Sequence, residues 1–180
     1  ASDVYKRQIL INDCSPDGRI APYLDGLAQE HILVLHNEKN MGFSANVNKG
    51  MAQSTDRDVL LLNSDTIVTA GWLEKIAACA YREESIGTVT PLSNSATLCS
   101  VPVMCQDNPV PENVTVDEYA GLIEACSLKR YPTITVAVGF CMYIKRALID
   151  AIGVFDAKTF GRGYGEENDF CNRAQQAGYH

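Results

Sequence analysis

The chain has 180 residues, 46% hydrophobic and 21% charged, with a formal net charge of −7. That length suits one domain and that balance a globular fold rather than a disordered one. An acidic chain with no Lys/Arg-rich block argues against nucleic acid as the main partner, and no apolar run approaches a membrane span or forms a signal peptide. The seven cysteines are odd in number and include no C-x-x-C pair, so reduced, mostly buried thiols and a cytoplasmic setting are expected.

Ala1 to Gln8 is polar and joins abruptly to an apolar run, which predicts a non-native or disordered lead over 1–8 and folded chain over 9–180. Ile9-Leu10-Ile11 reads as a short buried strand ending in the polar turn-formers Asn12-Asp13-Cys14-Ser15-Pro16-Asp17-Gly18. A helix around Ile20 to Gln29, a strand at Ile32 to Leu35 and a helix from Ser44 to about Gln53 follow, with Gly42 permitting a close backbone approach. Val59-Leu60-Leu61-Leu62 is too short for a helix and suits a strand buried on both faces. The order strand, helix, strand, helix, strand predicts an α/β fold, a Rossmann-like, mostly parallel central sheet flanked by helices.

Beyond Asp65, Trp72, Leu73, Ile76, Ala77 and Ala80 recur at helical spacing, with Trp72 as core anchor, and Ile86 to Thr90 reads as a strand. Pro91 to Pro111 carries four prolines and must be mostly loop. Thr115-Val116-Asp117-Glu118 is a capping box before an apolar stripe at Tyr119, Leu122, Ile123 and Cys126. Thr133 to Val138 alternates like a strand, Gly139 interrupts it before Phe140-Cys141-Met142-Tyr143-Ile144, and a short helix spans Lys145 to Ile152. Finally Gly161-Arg162-Gly163-Tyr164-Gly165 leads into Glu166-Glu167-Asn168-Asp169 and a helix to about Ala177.

Two polar concentrations carry chemistry. Asn63 and Asp65 close the third strand at its carboxyl end, where ligands bind in open α/β sheets; oxygen ligands two residues apart share a face and suit a hard cation with the phosphates it carries. A turn that caps the next helix explains the same residues without a ligand. Glu166, Glu167 and Asp169 complement a helix dipole in the bland reading. Three acids so close also repel one another, which favours one of them as a base; Glu166 and Asp169 share a helix face while Glu167 points elsewhere. A metal-held diphosphate opposite a base is equipment for group transfer to a hydroxyl.

Four segments, in order, resemble a bacterial family 2 glycosyltransferase with the A-type glycosyltransferase fold. Ile9 to Gly18 resembles the strand and turn that bind the nucleotide base; Asn40 to Gly50 resembles the N-x-G-F-x-x-x-x-N-x-G donor segment; Leu61 to Thr66 resembles the strand ending in the Asp-x-Asp motif; Gly165 to Arg173 resembles the catalytic acidic motif. The resemblance implies inverting transfer of a sugar from a nucleoside-diphosphate donor (UDP, dTDP or GDP) to a hydroxyl of a glycan or lipid-linked acceptor in cell-surface polysaccharide synthesis. It gives Asp65 the metal (Mn2+ or Mg2+), Asn12, Asp13, Asn40, Gly42, Asn48 and Asn63 the donor, Glu167 the base role with Glu166 and Asp169 assisting, and Gly139, Phe140 and Cys141 the acceptor side. It also implies a fragment lacking the family's first strand and C-terminal end, with peripheral association at the inner membrane. Asn63 stands where many members have Asp, which puts metal affinity in question and keeps a catalytically silent nucleotide-sugar or glycan-binding domain as the alternative. A nucleotidyltransferase would need a basic glycine-rich signature near the start, and none is visible.

Overall fold

The structure is a computed structural model that describes residues 7–161 and 163–180. The chain divides into two compact units, one of residues 1–55 and 154–166, the other of 56–153 and 167–180.

In the first unit, β1 (Gln8–Asn12) and β2 (Ile32–His36) pair in parallel, in register from Gln8 with Ile32 to Asn12 with His36. Parallel neighbours need a crossover, and α1 (Ile20–Asp25) lies on it. This helix is shorter than the predicted Ile20–Gln29 because the chain turns after Gly26. Helix α2 (Phe43–Met51) packs on α6 (Ala157–Phe160) and β1. The Phe43 and Phe155 rings meet edge to face at 6.1 Å. Gly50 lets α2 approach β1, since a Cβ there would stand 3.1 Å from Ile11 Cδ1. The backbone is left-handed at Gly161, Gly163, Tyr164 and Gly165 (φ 55°, 135°, 75° and 103°). Arg162, and residues 1–6 of the lead expected over 1–8, lie outside the described residues; Gln8, expected in that lead, belongs to β1.

In the second unit, β3 (Val59–Leu62), β5 (Cys141–Ile144) and β4 (Thr88–Val89) form a sheet in the order β3-β5-β4. Strand β5 is antiparallel to both neighbours, so β3 and β4 run the same way. It is also the strand buried end to end, whereas β3, expected to be buried on both faces, is half-buried and leaves Leu62 42% exposed. Helix α3 (Trp72–Ala80) covers the sheet with Ile76 and Ala80, which form a core with Cys141 and Tyr143; Trp72 packs against it as expected. Helix α4 (Val116–Cys126) opens with the predicted capping box, Glu118 N–H donating to Thr115 Oγ1 at 3.2 Å and Thr115 N–H to Glu118 Oε2 at 2.8 Å. Helix α5 (Arg146–Ile152) and, from Glu167 onward, helix α7 (Glu166–Gln176) complete the elements.

Thr133–Val138 is not a strand. Its polar groups are taken by side chains instead of a ladder: Ala137 N–H by Cys171 Sγ at 3.3 Å, Val138 N–H by Thr90 Oγ1 at 3.0 Å, and Thr135 C=O by Gln175 Nε2 at 3.0 Å. Asp58 is a polar hub. Its Oδ2 accepts the hydroxyls of Tyr81 (2.6 Å) and Tyr143, and its Oδ1 accepts Arg146 N–H at 2.8 Å, which anchors the start of α5. The 91–111 segment is loop apart from a short 3-10 turn at Thr97–Cys99, and it is organised around buried Asn108. The Asn108 amide donates to the carbonyls of Asn94, Val103 and Gln106 and accepts Val103 N–H at 3.1 Å. Among the described residues, no helix is long and apolar enough to cross a membrane.

Candidate active site

Because β1 and β2 are parallel neighbours, their carboxyl-end loops emerge side by side. Asp13, one residue past β1, ties them together. Its Oδ1 accepts Asn37 Nδ2 (2.7 Å) and Met41 N–H (2.8 Å), its Oδ2 accepts Gly42 N–H (2.9 Å), and its carbonyl accepts Asn40 Nδ2 (3.2 Å). The structure thus brings Asp13, Asn40 and Gly42 together. Gly42 is buried with φ 79° as it leads into α2, a conformation open to glycine at little cost. Asn12 is buried beside them, its Oδ1 accepting Ser15 N–H at 2.9 Å.

Asn37 and Lys49 were not singled out from the sequence. Asn37 is buried, also donates to Asn46 Oδ1 at 2.8 Å, and accepts Lys49 Nζ at 2.6 Å. Its position directly after β2 carries the same signal that marked Asp13 directly after β1. Asn48, assigned to the donor, turns elsewhere: its amide clamps Phe155, donating to the carbonyl at 2.8 Å and accepting the N–H at 3.1 Å. That reciprocal pair uses one donor and the acceptor of the side chain, so Asn48 holds 154–156 against α2.

In the second unit, Asn63 N–H donates to Phe140 C=O at 2.8 Å, extending the β3–β5 pairing by one bond, and Thr66 N–H closes a turn on Asn63 C=O at 3.2 Å. This turn leaves Asn63, Ser64 and Asp65 exposed at the strand end. Gly139 is buried, and Phe140 and Cys141 belong to or pack on the core with Ile76 and Ala80, Cys141 at 1% exposure. The expected acceptor-side role therefore does not suit the Cys141 side chain, which faces apolar neighbours. Burial pushes its thiol up to about 11.

Helix α7 separates its acids. Glu166 is 4% exposed, and its Oε2 has no hydrogen-bond donor among the described residues; Ser44 Oγ in the same unit is likewise buried without a partner. A buried acceptor with no donor gains a bond from any hydroxyl or amide that reaches it. Asp169 Oδ2 accepts Arg173 Nε at 2.8 Å, and Arg173 Nη1 reaches Ile152 C=O at 2.7 Å, so Asp169 fastens α7 to the end of α5. Glu167 and Asn168 line a cavity of about 250 Å³ within the second unit, together with Thr97, Leu98 and Val136–Val138. The long loop contributes Thr97 and Leu98 to this cavity. Among the described residues, no three His, Cys, Asp or Glu side chains gather where they could hold a metal ion.

Thirty chains of solved structures match this one. One of them, the crystal structure of GalNAc-T7 with UDP, GalNAc and Mn2+, superposes with a TM-score of 0.66 at 15% identity, over 96% of this chain and 35% of that one. A parallel strand pair with its crossover helix, polar strand-end loops and this likeness define an A-type glycosyltransferase fold. The sequence matches the family described as glycosyl transferase family 2 over residues 5–153, and the chain belongs to that family. A search of curated proteins finds no match. The chain spans about a third of the length of the structure it resembles.

Proposed function

We propose that the protein transfers a sugar from a nucleoside diphosphate to an acceptor hydroxyl with inversion at the anomeric carbon. The observation that carries this reading is the family match over residues 5–153. In the first unit, the loops tied by Asp13 serve the nucleoside. Because Asp13 accepts three internal bonds, it acts mainly by shaping these loops.

In the second unit, Asp65 and Asn63 serve the diphosphate. One exposed carboxylate and one amide fall short of a protein cage, and they fit a cation that keeps phosphate oxygens and waters as its other ligands. Such a cation, when bound, supplies positive charge to the leaving diphosphate. Glu167 serves as base. The acceptor oxygen forms its bond to the anomeric carbon, the bond from that carbon to the phosphate oxygen breaks with its electron pair going to the diphosphate, and the hydroxyl proton passes to the Glu167 carboxylate. A hexose or deoxyhexose donor, a glycan or lipid-linked acceptor, and a cytoplasmic place in bacterial cell-surface polysaccharide synthesis complete the reading.

The test is a panel of UDP-, GDP- and dTDP-sugars titrated with and without Mn2+, followed by thermal shift and donor hydrolysis. One donor is expected to bind with metal, Asp65→Ala to abolish that binding, and Glu167→Gln to bind donor yet transfer no sugar. If no nucleotide sugar binds under any metal condition, the enzyme reading falls and the silent-domain reading replaces it.

A further inference from the structure

We infer that the cavity beside Glu167 seats a single acceptor sugar ring bearing an apolar edge, a 6-deoxyhexose, with its C-methyl toward Leu98 and Val136–Val138 and a hydroxyl toward Glu167. The inference rests on the glycosyltransferase reading and names its acceptor class. At about 250 Å³ the cavity, open to solvent on one side, has the room of roughly eight waters, the scale of one ring.

Its lining is two-faced. Thr97, Glu167 and Asn168 bring a hydroxyl, a carboxylate and an amide, while Leu98, Val136, Ala137 and Val138 bring only carbon from their side chains. The backbone adds no free donor from Ala137 or Val138 to this face, because their N–H groups are already held by Cys171 Sγ and Thr90 Oγ1. A ring hydroxyl turned to that wall finds no donor in those two amides, whereas a methyl group requires none. The wall is also fixed in place. Cys105 N–H bonds Thr97 C=O at 2.8 Å, Ser93 N–H bonds Cys99 C=O at 3.0 Å, and the Asn108 amide gathers the loop on both sides of Thr97 and Leu98.

The experiment titrates the 15N-labelled chain with methyl α-L-rhamnoside and methyl α-L-mannoside, and with methyl α-L-fucoside and methyl α-L-galactoside, each pair differing only in the 6-hydroxyl. Nucleotide sugars with Mn2+ are titrated separately. At least one deoxy glycoside is expected to bind about tenfold tighter than its hydroxylated partner and to shift the amides of 136–138 and 168. Leu98→Ala, at an exposed loop position, and Val138→Thr, which adds a hydroxyl to the wall, should each narrow that ratio. Equal or weaker binding of the deoxy member in both pairs, shifts that miss these amides, or no binding of any glycoside would overturn the inference. Nucleotide-sugar binding alongside such a result would leave the proposed function standing; absence of nucleotide-sugar binding would remove it.

Discussion

Asp13 and Gly42 are joined across the two parallel-strand loops by a bond of 2.9 Å from the Gly42 amide to the Asp13 carboxylate, while Met41 N–H occupies the other oxygen at 2.8 Å. Two successive backbone amides gripping one carboxylate fix the entry to α2. Asp13→Ala leaves both amides and the Asn37 side chain without that acceptor. The expected loss is about 2–4 kcal/mol in urea unfolding, given about 1.5–3 kcal/mol for a single bond to a charged group and water replacing part of it. Asp13→Asn should lose less, since one oxygen remains.

Asn48 offers a sharper contrast. Its amide both donates to and accepts from Phe155. Asn48→Asp keeps the acceptor but sets a carboxylate oxygen against the Phe155 carbonyl, so it should destabilise at least as much as Asn48→Ala, about 1–3 kcal/mol. Thermal melts of the two variants check the order.

The Asp58 hub predicts an acid limb. Burial alone would push its carboxyl up, but the Tyr143 and Tyr81 hydroxyls, the Arg146 amide and the Lys145 charge outweigh burial and hold it below the usual range. A depressed folded-state value contributes stability that is present above the unfolded value of about 3.9 and lost as pH falls through the lower, folded one. The stability gap between the wild type and Asp58→Asn should therefore be constant from neutral pH to about 4 and close below it. A gap that persists unchanged to pH 2 would contradict this.

Thiol reactivity should divide the cysteines. Cys14, Cys105 and Cys126 are exposed, while Cys99, Cys141 and Cys171 are buried. The expectation that most thiols are buried thus holds for only part of the set. At pH 8 a neutral disulfide reagent should label the exposed three rapidly and the buried three only after denaturant is added, Cys141 among them because burial holds it at about 11.

Two glycine-to-alanine changes should act in opposite directions. Gly165 has φ 103°, and a Cβ there would stand 3.0 Å from the Phe160 ring, so Gly165→Ala should cost about 1–3 kcal/mol. Gly121 lies inside α4 with nothing within 4 Å of a Cβ, so Gly121→Ala should add about 0.4–1 kcal/mol. Chemical denaturation of both reads the sign directly.

What was legible in the sequence follows from the range of the interactions. The capping box at Thr115 and Glu118 and the stripe through Trp72, Ile76 and Ala80 are local, and both appear where their spacing puts them. The alternation over Thr133–Val138 misled because a period of two describes any extended chain, and here Thr90 and Cys171, each more than thirty residues away, supply the acceptors a neighbouring strand would have supplied. Asp58 could not be read at all, since its tyrosines lie 23 and 85 positions distant. In the acidic cluster, composition gave the residues but not their fates: Asp169 pairs with Arg173, Glu166 is buried, and Glu167 lines a cavity.

The left-handed backbone before α7 has a consequence for how this surface can vary. Any substitution of a glycine adds a side chain, and at Gly163 and Gly165 that side chain must sit on backbone most residues avoid. Tyr164 shares the backbone constraint, yet its side chain is 99% exposed and meets no packing demand. A library randomised at 163–165 and selected only for folding should therefore return glycine at both flanks and, between them, a broad mixture enriched in Gly, Asn and Asp. Tolerance to substitution would change sharply within three neighbouring codons.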